Sequence, residues 1–147
     1  MRLSDFQDMA GRGVATFGDL GFRGKCPTEA QEQITFFARL RRTYPDTWGA
    51  LAIHPRNEAL RAGGQLGAIA RHKAEGMTPG AADIIIPARM AFVCELKRRN
   101  YTKSDWQDGQ REYLAAAADA GAFACVALGC DAAWQAFGAW LLAADLA

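Results

Sequence analysis

Asp83 and the triplet Glu95-Leu96-Lys97 combine residue types and spacing that suit chemistry. Both fall in short β-rich runs, Asp83 before Ile84-Ile85-Ile86 and the triplet at the end of Phe92-Val93-Cys94-Glu95-Leu96-Lys97. Side chains alternate along a strand, so Glu95 and Lys97 project from one face with Val93, while Cys94 and Leu96 turn to the other. Asp83 opens the partner strand and reaches the same end of the sheet. Two carboxylates brought close repel, and one pKa rises unless a cation sits between them. The donors are all oxygen, with no histidine or thiol from this segment, which suits Mg²⁺ or Mn²⁺ better than zinc. Such an ion polarises a phosphoryl oxygen and acidifies a bound water, while Lys97 orients that water or offsets developing charge. Hydrolysis of a phosphodiester is the matching reaction. On spacing alone, an ordinary strand-end ion pair of Asp83 and Glu95 with Lys97 stands beside it as an open reading.

These groups need a scaffold. The two runs, joined by the four residues Pro87 to Met90, read as an antiparallel hairpin. Upstream, Thr28 can cap a helix whose first turns hold Glu29, Gln31 and Glu32, and Ile34, Phe37 and Leu40 make an apolar stripe, so a helix is predicted from about 28 to 43. Tyr44-Pro45-Asp46 breaks it, and the apolar stretch Trp48 to Ile53 reads as a strand ending at His54-Pro55. After Gly63-Gly64, a second helix runs through Leu66, Ile69, Ala70 and Lys73 and is closed by Gly76. Beyond the hairpin, a helix is predicted from about Ser104 to Ala120, with Tyr113, Leu114 and Ala117 inward. A buried strand follows over Phe123 to Leu128, then a terminal helix over Ala132 to Leu142, apolar at Trp134, Phe137, Trp140 and Leu141. The order implies an α/β class with a single mixed sheet flanked by helices. The strand at 91–97, the helix after it and the strand at 123–128 form a βαβ crossover, expected to be right-handed. The glycine-rich residues 1–25 show no sustained period and read as a flexible leader before a domain at 26–147. Gly24-Lys25 lacks the other residues of a phosphate-binding loop.

Composition narrows the classes. The chain's 147 residues, 50% hydrophobic and 22% charged, suit one folded domain and exclude a disordered chain. No run of eighteen apolar residues occurs and Asp5 interrupts the N-terminus, so neither a membrane span nor a secretory signal is expected. The net charge is +1, but the three charges after Tyr113 (Asp119, Asp131, Asp145) are acidic, so the rest of the chain carries +4. Basic clusters at Arg39, Arg41, Arg42 and at Lys97, Arg98, Arg99, Lys103 give one part of the surface a means of meeting phosphate. Cys26, Cys94, Cys125 and Cys130 show no metal-site spacing with each other or with His54 and His72. Cys94 and Cys125 lie in apolar runs, as buried thiols of a cytoplasmic protein without disulfides.

Asp83 followed across a short hairpin by Glu95-Leu96-Lys97 resembles the D…(E)-x-K signature of the PD-(D/E)xK nuclease superfamily. From about Pro27 to Leu142 the flanking residues resemble one branch of it, the VRR-NUC (virus-type replication-repair nuclease) family. Glu29 and Gln33 match its first helix, Asn57 in His54-Pro55-Arg56-Asn57 its asparagine, Lys73, Gly76, Gly80 and Asp83 its next segment, and Gln110 its downstream glutamine. Ala82 stands where many relatives carry Pro, and Glu58 where glycine is usual; neither position is a metal ligand. The resemblance implies a restriction-endonuclease-like core in which Asp83 and Glu95 coordinate Mg²⁺, with Mn²⁺ as substitute. The Leu96 carbonyl and Glu29 would add to that shell, Lys97 would act on the attacking water, and Gln110 would support Lys97 or the substrate phosphate. Glu32 and Gln107, one turn away, compete with Glu29 and Gln110.

Arg98, Arg99 and Lys103 follow the site and Arg71 and Lys73 precede it, so with Asn57 they are candidate contacts to nucleic-acid backbone. Each alone better suits a solvated charged face. Tyr101 and Trp106 have rings that suit base stacking but are expected to pack. The resemblance further implies a metal-dependent endonuclease acting on branched DNA, such as four-way junctions, in replication, recombination or repair, as phage and bacterial members do as homodimers. A non-catalytic DNA-binding or assembly module with the same fold is the main alternative, and a hydrolase of small phosphoesters a third. His54 and His72 are given no role.

Overall fold

A computed structural model describes residues 1–55 and 66–147. The elements are α1 (Leu3–Gly11), β1 (Ala15–Phe17), α2 (Glu29–Thr43), α3 (Trp48–Leu51), α4 (Leu66–Ala74), β2 (Ile84–Ile86), β3 (Phe92–Lys97), α5 (Gln110–Asp119), β4 (Phe123–Leu128) and α6 (Cys130–Ala143). Among them, four strands form one mixed sheet in the order β1-β4-β3-β2, with β2 antiparallel to β3 and the other pairings parallel. The hairpin and the parallel β3–β4 pairing across a helix are as the sequence implies.

The alternation along β3 divides the molecule. Phe92, Cys94 and Leu96 join Phe36, Leu40, Phe137 and Trp140 in a core between the sheet and α2 and α6. Val93 joins Phe6, Met9, Leu114 and Val126 in a second core beneath α1 and α5. Glu95 and Lys97 therefore emerge on the α5 side of the sheet, where apolar packing gives way to polar groups.

Residues 1–25 are not a loose leader. Phe6 and Met9, three apart on α1, are buried with Val14, and β1 pairs in parallel with the edge of β4. This short helical period is hidden in the sequence by the surrounding glycines. The helix at 28–43 forms as expected, opened by a capping box in which Gln31 N donates to Thr28 Oγ1 at 3.3 Å and Thr28 N to Gln31 Oε1 at 2.9 Å. Its inner stripe is Glu32, Phe36, Phe37 and Leu40, and Ile34 is 69% exposed. A charged residue occupies the inner position that an apolar pattern would assign elsewhere.

The predicted strand at Trp48 to Ile53 is instead one helical turn, α3, followed by a single antiparallel bridge of Ile53 to Ile85. Gly49 lets this turn press on α2. Its N–H donates to the Tyr44 carbonyl at 2.9 Å, and a Cβ there would lie 2.7 Å from the Arg41 Cα. The helix predicted from Ser104 begins only at Gln110. Residues Tyr101–Lys103 form a 3₁₀ turn with Asn100 accepting from Thr102 N, and Ser104 to Gly109 stay non-helical to serve the site. α4, closed by Gly76 at φ +100, agrees with expectation, as does β4, and the terminal helix starts two residues early at Cys130. Asn57 and Gly63-Gly64 lie outside the described residues.

Candidate functional site

The register that pairs Ile84 with Cys94 brings Asp83 opposite Glu95 when extended by one residue, and directly opposed residues of an antiparallel pair share a face. Asp83 Oδ2 accepts from Leu96 N at 3.0 Å, tying its carboxylate to the main chain beside Glu95. Both acids line a cleft of about 550 Å³ with Glu29 and Gln33 from α2, His54, Lys73 from α4, Gly80, Trp106, Gln107, Asp108 and Gln110. The hairpin, α2 and the start of α5 thus converge on one concavity. No three His, Cys, Asp or Glu side chains among the described residues stand close enough together to enclose an ion by themselves.

Lys97 and Glu95 are each 1% exposed, with Lys97 Nζ 2.9 Å from Glu95 Oε1. The ammonium also donates to Gln110 Oε1 at 2.8 Å and to the Asp105 carbonyl at 3.1 Å, which uses all three of its hydrogens. Gln110 Nε2 donates to the same Glu95 oxygen. Glu95 Oε1 is thus doubly held, while Glu95 Oε2 is buried with no hydrogen-bond partner. Burial, and then the Asp83 charge beside it, pushes the Glu95 carboxyl up to about 8 in spite of Lys97. Burial also raises Asp83 above its ordinary value, against the Leu96 amide and the Lys97 charge.

The loop at 104–109 explains the late start of α5. It supplies the Asp105 carbonyl to Lys97, and Ser104 Oγ donates to Glu29 Oε1 at 2.6 Å while accepting from Arg98 N at 3.0 Å. Trp106, expected on the helix, lies in this loop with its ring 5.2 Å from Lys97 Nζ. Gly80 and Gly109, both at positive φ, pack main chain against main chain and join the Asp83 segment to the start of α5.

Two pairs of competitors separate. Glu29 lines the cleft, whereas Glu32 reaches to the start of α6, where its Oε2 accepts from Cys130 N at 2.8 Å and caps that helix. Gln110 is buried against Lys97 and Glu95; Gln107 also lines the cleft but meets Gln110 through its main chain, its N–H donating to Gln110 Oε1 at 2.8 Å and its carbonyl accepting from Gln110 N at 3.2 Å.

The cationic candidates divide as well. Lys73 lines the cleft, and Arg71 on the same helix pairs with Glu75 at 2.8 Å in solvent. Arg98 is turned away from the cleft, donating to the Cys26 carbonyl at 3.0 Å, Arg99 pairs with Asp131 at 3.2 Å, and Lys103 is exposed on the 3₁₀ turn. Asn57 lies outside the described residues. Tyr101 packs edge-on against Phe6 at 5.1 Å. The Leu96 side chain sits in the α2–α6 core. His54, which the sequence left without a role, lines the cleft with Nδ1 2.8 Å from the Asp83 carbonyl, so the donors around the acids are not oxygen alone.

With four carboxylates and one lysine among the side chains lining it, the cleft favours a cation over a bare polyanion. Its candidate donors are Asp83, Glu95, Glu29 and the nitrogen of His54. No helix among the described residues is long and apolar enough to cross a membrane.

Comparison with known proteins bears on the fold. No family model matches the sequence, and no curated protein does. Among solved structures, one described as a VRR_NUC domain protein is similar over 80% of this chain and 91% of its own, at 20% identity and a TM-score of 0.64. The chain therefore has the α/β fold of a VRR_NUC domain.

Proposed function

We propose that this protein is a metal-dependent nuclease hydrolysing DNA phosphodiester bonds. The observation that carries the reading is the Glu95 carboxylate. One of its oxygens is held by Lys97 and Gln110, and the other is buried without a partner in a cleft shared with Asp83. A buried, unsatisfied carboxylate oxygen is costly, and a hard divalent cation removes that cost. Asp83 and Glu95, with Glu29 and the Leu96 carbonyl near them, suit Mg²⁺, which commonly binds through one or two carboxylates and keeps several waters. When bound, the ion supplies Lewis-acid polarisation of a phosphoryl oxygen and a more acidic water.

The chain's own groups do the rest. Lys97 holds Glu95 in place and presents positive charge behind the acids, offsetting charge that develops on the phosphate. Gln110 fixes the Lys97 ammonium and the Glu95 oxygen together. Glu29, anchored by Ser104, is placed to hold a water or the ion's outer shell. Lys73 meets a phosphate entering the cleft, and Asn57 is proposed to assist. Arg71, Arg98, Arg99 and Lys103 are proposed to hold flanking backbone. Branched DNA, such as four-way junctions cut by a homodimer, is the substrate class the sequence resemblance favours.

Incubation of the purified protein with branched and linear DNA in Mg²⁺, Mn²⁺ or chelator tests the reading. Metal-dependent cutting abolished by Asp83→Ala supports it. Intact DNA under every condition, with binding retained, leaves a DNA-binding module instead. Cleavage of nucleotides without affinity for duplex leaves a small-phosphoester hydrolase.

A further inference from the structure

Ile53 exchanges both main-chain hydrogen bonds with Ile85, at 2.9 and 3.0 Å, so the chain enters the cleft antiparallel to β2. The next residue, His54, thereby comes level with Ile84, the first residue of β2, and its Nδ1 lies 2.8 Å from the carbonyl of the preceding Asp83. A carbonyl oxygen only accepts, so Nδ1 carries the hydrogen and, in the neutral ring, Nε2 carries the lone pair. Among the described residues nothing engages Nε2, and the ring lines the same cleft as Asp83, Glu95 and Glu29. An imidazole whose one nitrogen is fixed by a carbonyl is oriented as metal-ligating histidines are.

We propose that His54 Nε2 is a nitrogen donor to a divalent ion at the Asp83 end of the cleft, an inference that rests on the metal-dependent reading above. The ring is tied to the main chain of Asp83 itself, so imidazole and carboxylate issue from one point of the wall. Water fills the positions that His54, Asp83 and, on the reading above, Glu95 leave open. A mixed nitrogen and oxygen set favours a borderline ion over a hard one, so Mn²⁺ binds more tightly than Mg²⁺ and His54 sets the difference.

The test is ion binding to the full chain without DNA, by calorimetry for both ions and by pulsed electron paramagnetic resonance for Mn²⁺. His54→Asn keeps an amide N–H for the Asp83 carbonyl but has nothing in the place of Nε2; His54→Ala removes both. Wild-type protein is expected to show imidazole nitrogen coupled to Mn²⁺. Both variants should lose that coupling and about tenfold or more in Mn²⁺ affinity, with Mg²⁺ affinity changed by less than about threefold. If wild-type protein binds Mn²⁺ without nitrogen coupling, or His54→Asn keeps wild-type Mn²⁺ affinity, His54 only positions Asp83 and the proposal fails. The coupling is read on unaltered protein, so a variant that misfolds does not obscure the answer. Wild-type protein that binds neither ion overturns the metal-dependent reading itself, a result distinct from the loss of nitrogen coupling alone.

Discussion

Lys97 Nζ stands 2.8 Å from Gln110 Oε1, and the two side chains meet on the same oxygen of Glu95. A glutamine amide is suited to this place because it accepts from the ammonium and donates to the carboxylate at once. Gln110→Ala leaves Lys97 one acceptor short and Glu95 one donor short in a buried setting. Cleavage is expected to fall about 10²-fold or more while Gln107→Ala, which keeps its main-chain donation, costs less than about threefold. Equal losses in the two variants would remove Gln110 from the network's function.

Lys97→Ala takes away the positive charge behind the acids but leaves both carboxylates and the cleft in place. The expected outcome is a loss of cleavage of about 10²–10⁴-fold with divalent-ion binding retained. Lys97 also favours the charged form of Glu95, so the variant should bind the ion best at higher pH than wild type. Calorimetry showing no ion bound at any pH would contradict this division of labour.

Glu29 and Glu32 differ by less than one helical turn, yet the first lines the cleft and the second accepts from the main chain at the start of α6. Glu32→Ala leaves the buried Cys130 N–H without an acceptor, a loss of about 1–3 kcal/mol, read as a fall of several degrees in Tm. Glu29→Ala removes a partner of Ser104 at the half-buried edge of the cleft and should lower cleavage with little change in Tm. The reverse pattern, with activity lost through Glu32 and stability through Glu29, would exchange their roles.

Much of this arrangement was legible in the sequence because it is local. The hairpin carrying Asp83, Glu95 and Lys97 follows from two β-rich runs and a short turn, and the alternation along β3 alone puts Glu95 and Lys97 on one face. What the sequence concealed depends on contacts distant along the chain. Trp48 to Ile53 read as strand because the apolar run lacks a visible period, yet Gly49 against Arg41 makes Trp48–Leu51 a helical turn. Glu32 disturbed the apolar stripe of α2 because its partner is a helix N-terminus 98 residues away. His54 looked idle because the bridge of Ile53 to Ile85 that carries it to Asp83 is one residue long. The expected leader hid α1 because Phe6 and Met9 give its helix only one repeat among glycines.

Gly76 and Gly80 share a left-handed backbone but not their surroundings. At Gly76, φ is +100 and a Cβ would meet nothing within 4 Å, so Gly76→Ala carries the conformational strain alone, about 1–2 kcal/mol. At Gly80, φ is +75 and a Cβ would collide with the main chain of Gly109 and Gln110. Gly80→Ala must therefore push the Asp83 segment away from the start of α5, disturbing the contact of Gln110 with Glu95. The expected result is a Tm loss at least twice that of Gly76→Ala together with loss of ion binding. Equal effects of the two substitutions would mean that the glycine contact does not hold the site.

The Glu95 carboxyl, pushed up from its ordinary 4.5 to about 8, makes stability depend on pH in the sense opposite to a salt-bridged acid. Below about pH 4.5 folded and unfolded chains both carry the proton, and burial of the neutral acid costs little. Between there and pH 8 the folded protein keeps a proton that the unfolded chain has released, so stability falls as pH rises, by about 1.4 kcal/mol per unit for one such group. Asp83 is shifted in the same direction. A divalent ion bound by these acids must displace the proton. Ion-free protein is therefore expected to melt at lower temperature at pH 8 than at pH 5.5, and saturating Mg²⁺ should shrink that difference. Calorimetry at pH 7 in buffers of different ionisation enthalpy should read close to one proton released per ion bound. Ion binding without proton release, in a protein whose ion-free Tm climbs from pH 5.5 to 8, would show that Glu95 is already ionised in the folded state.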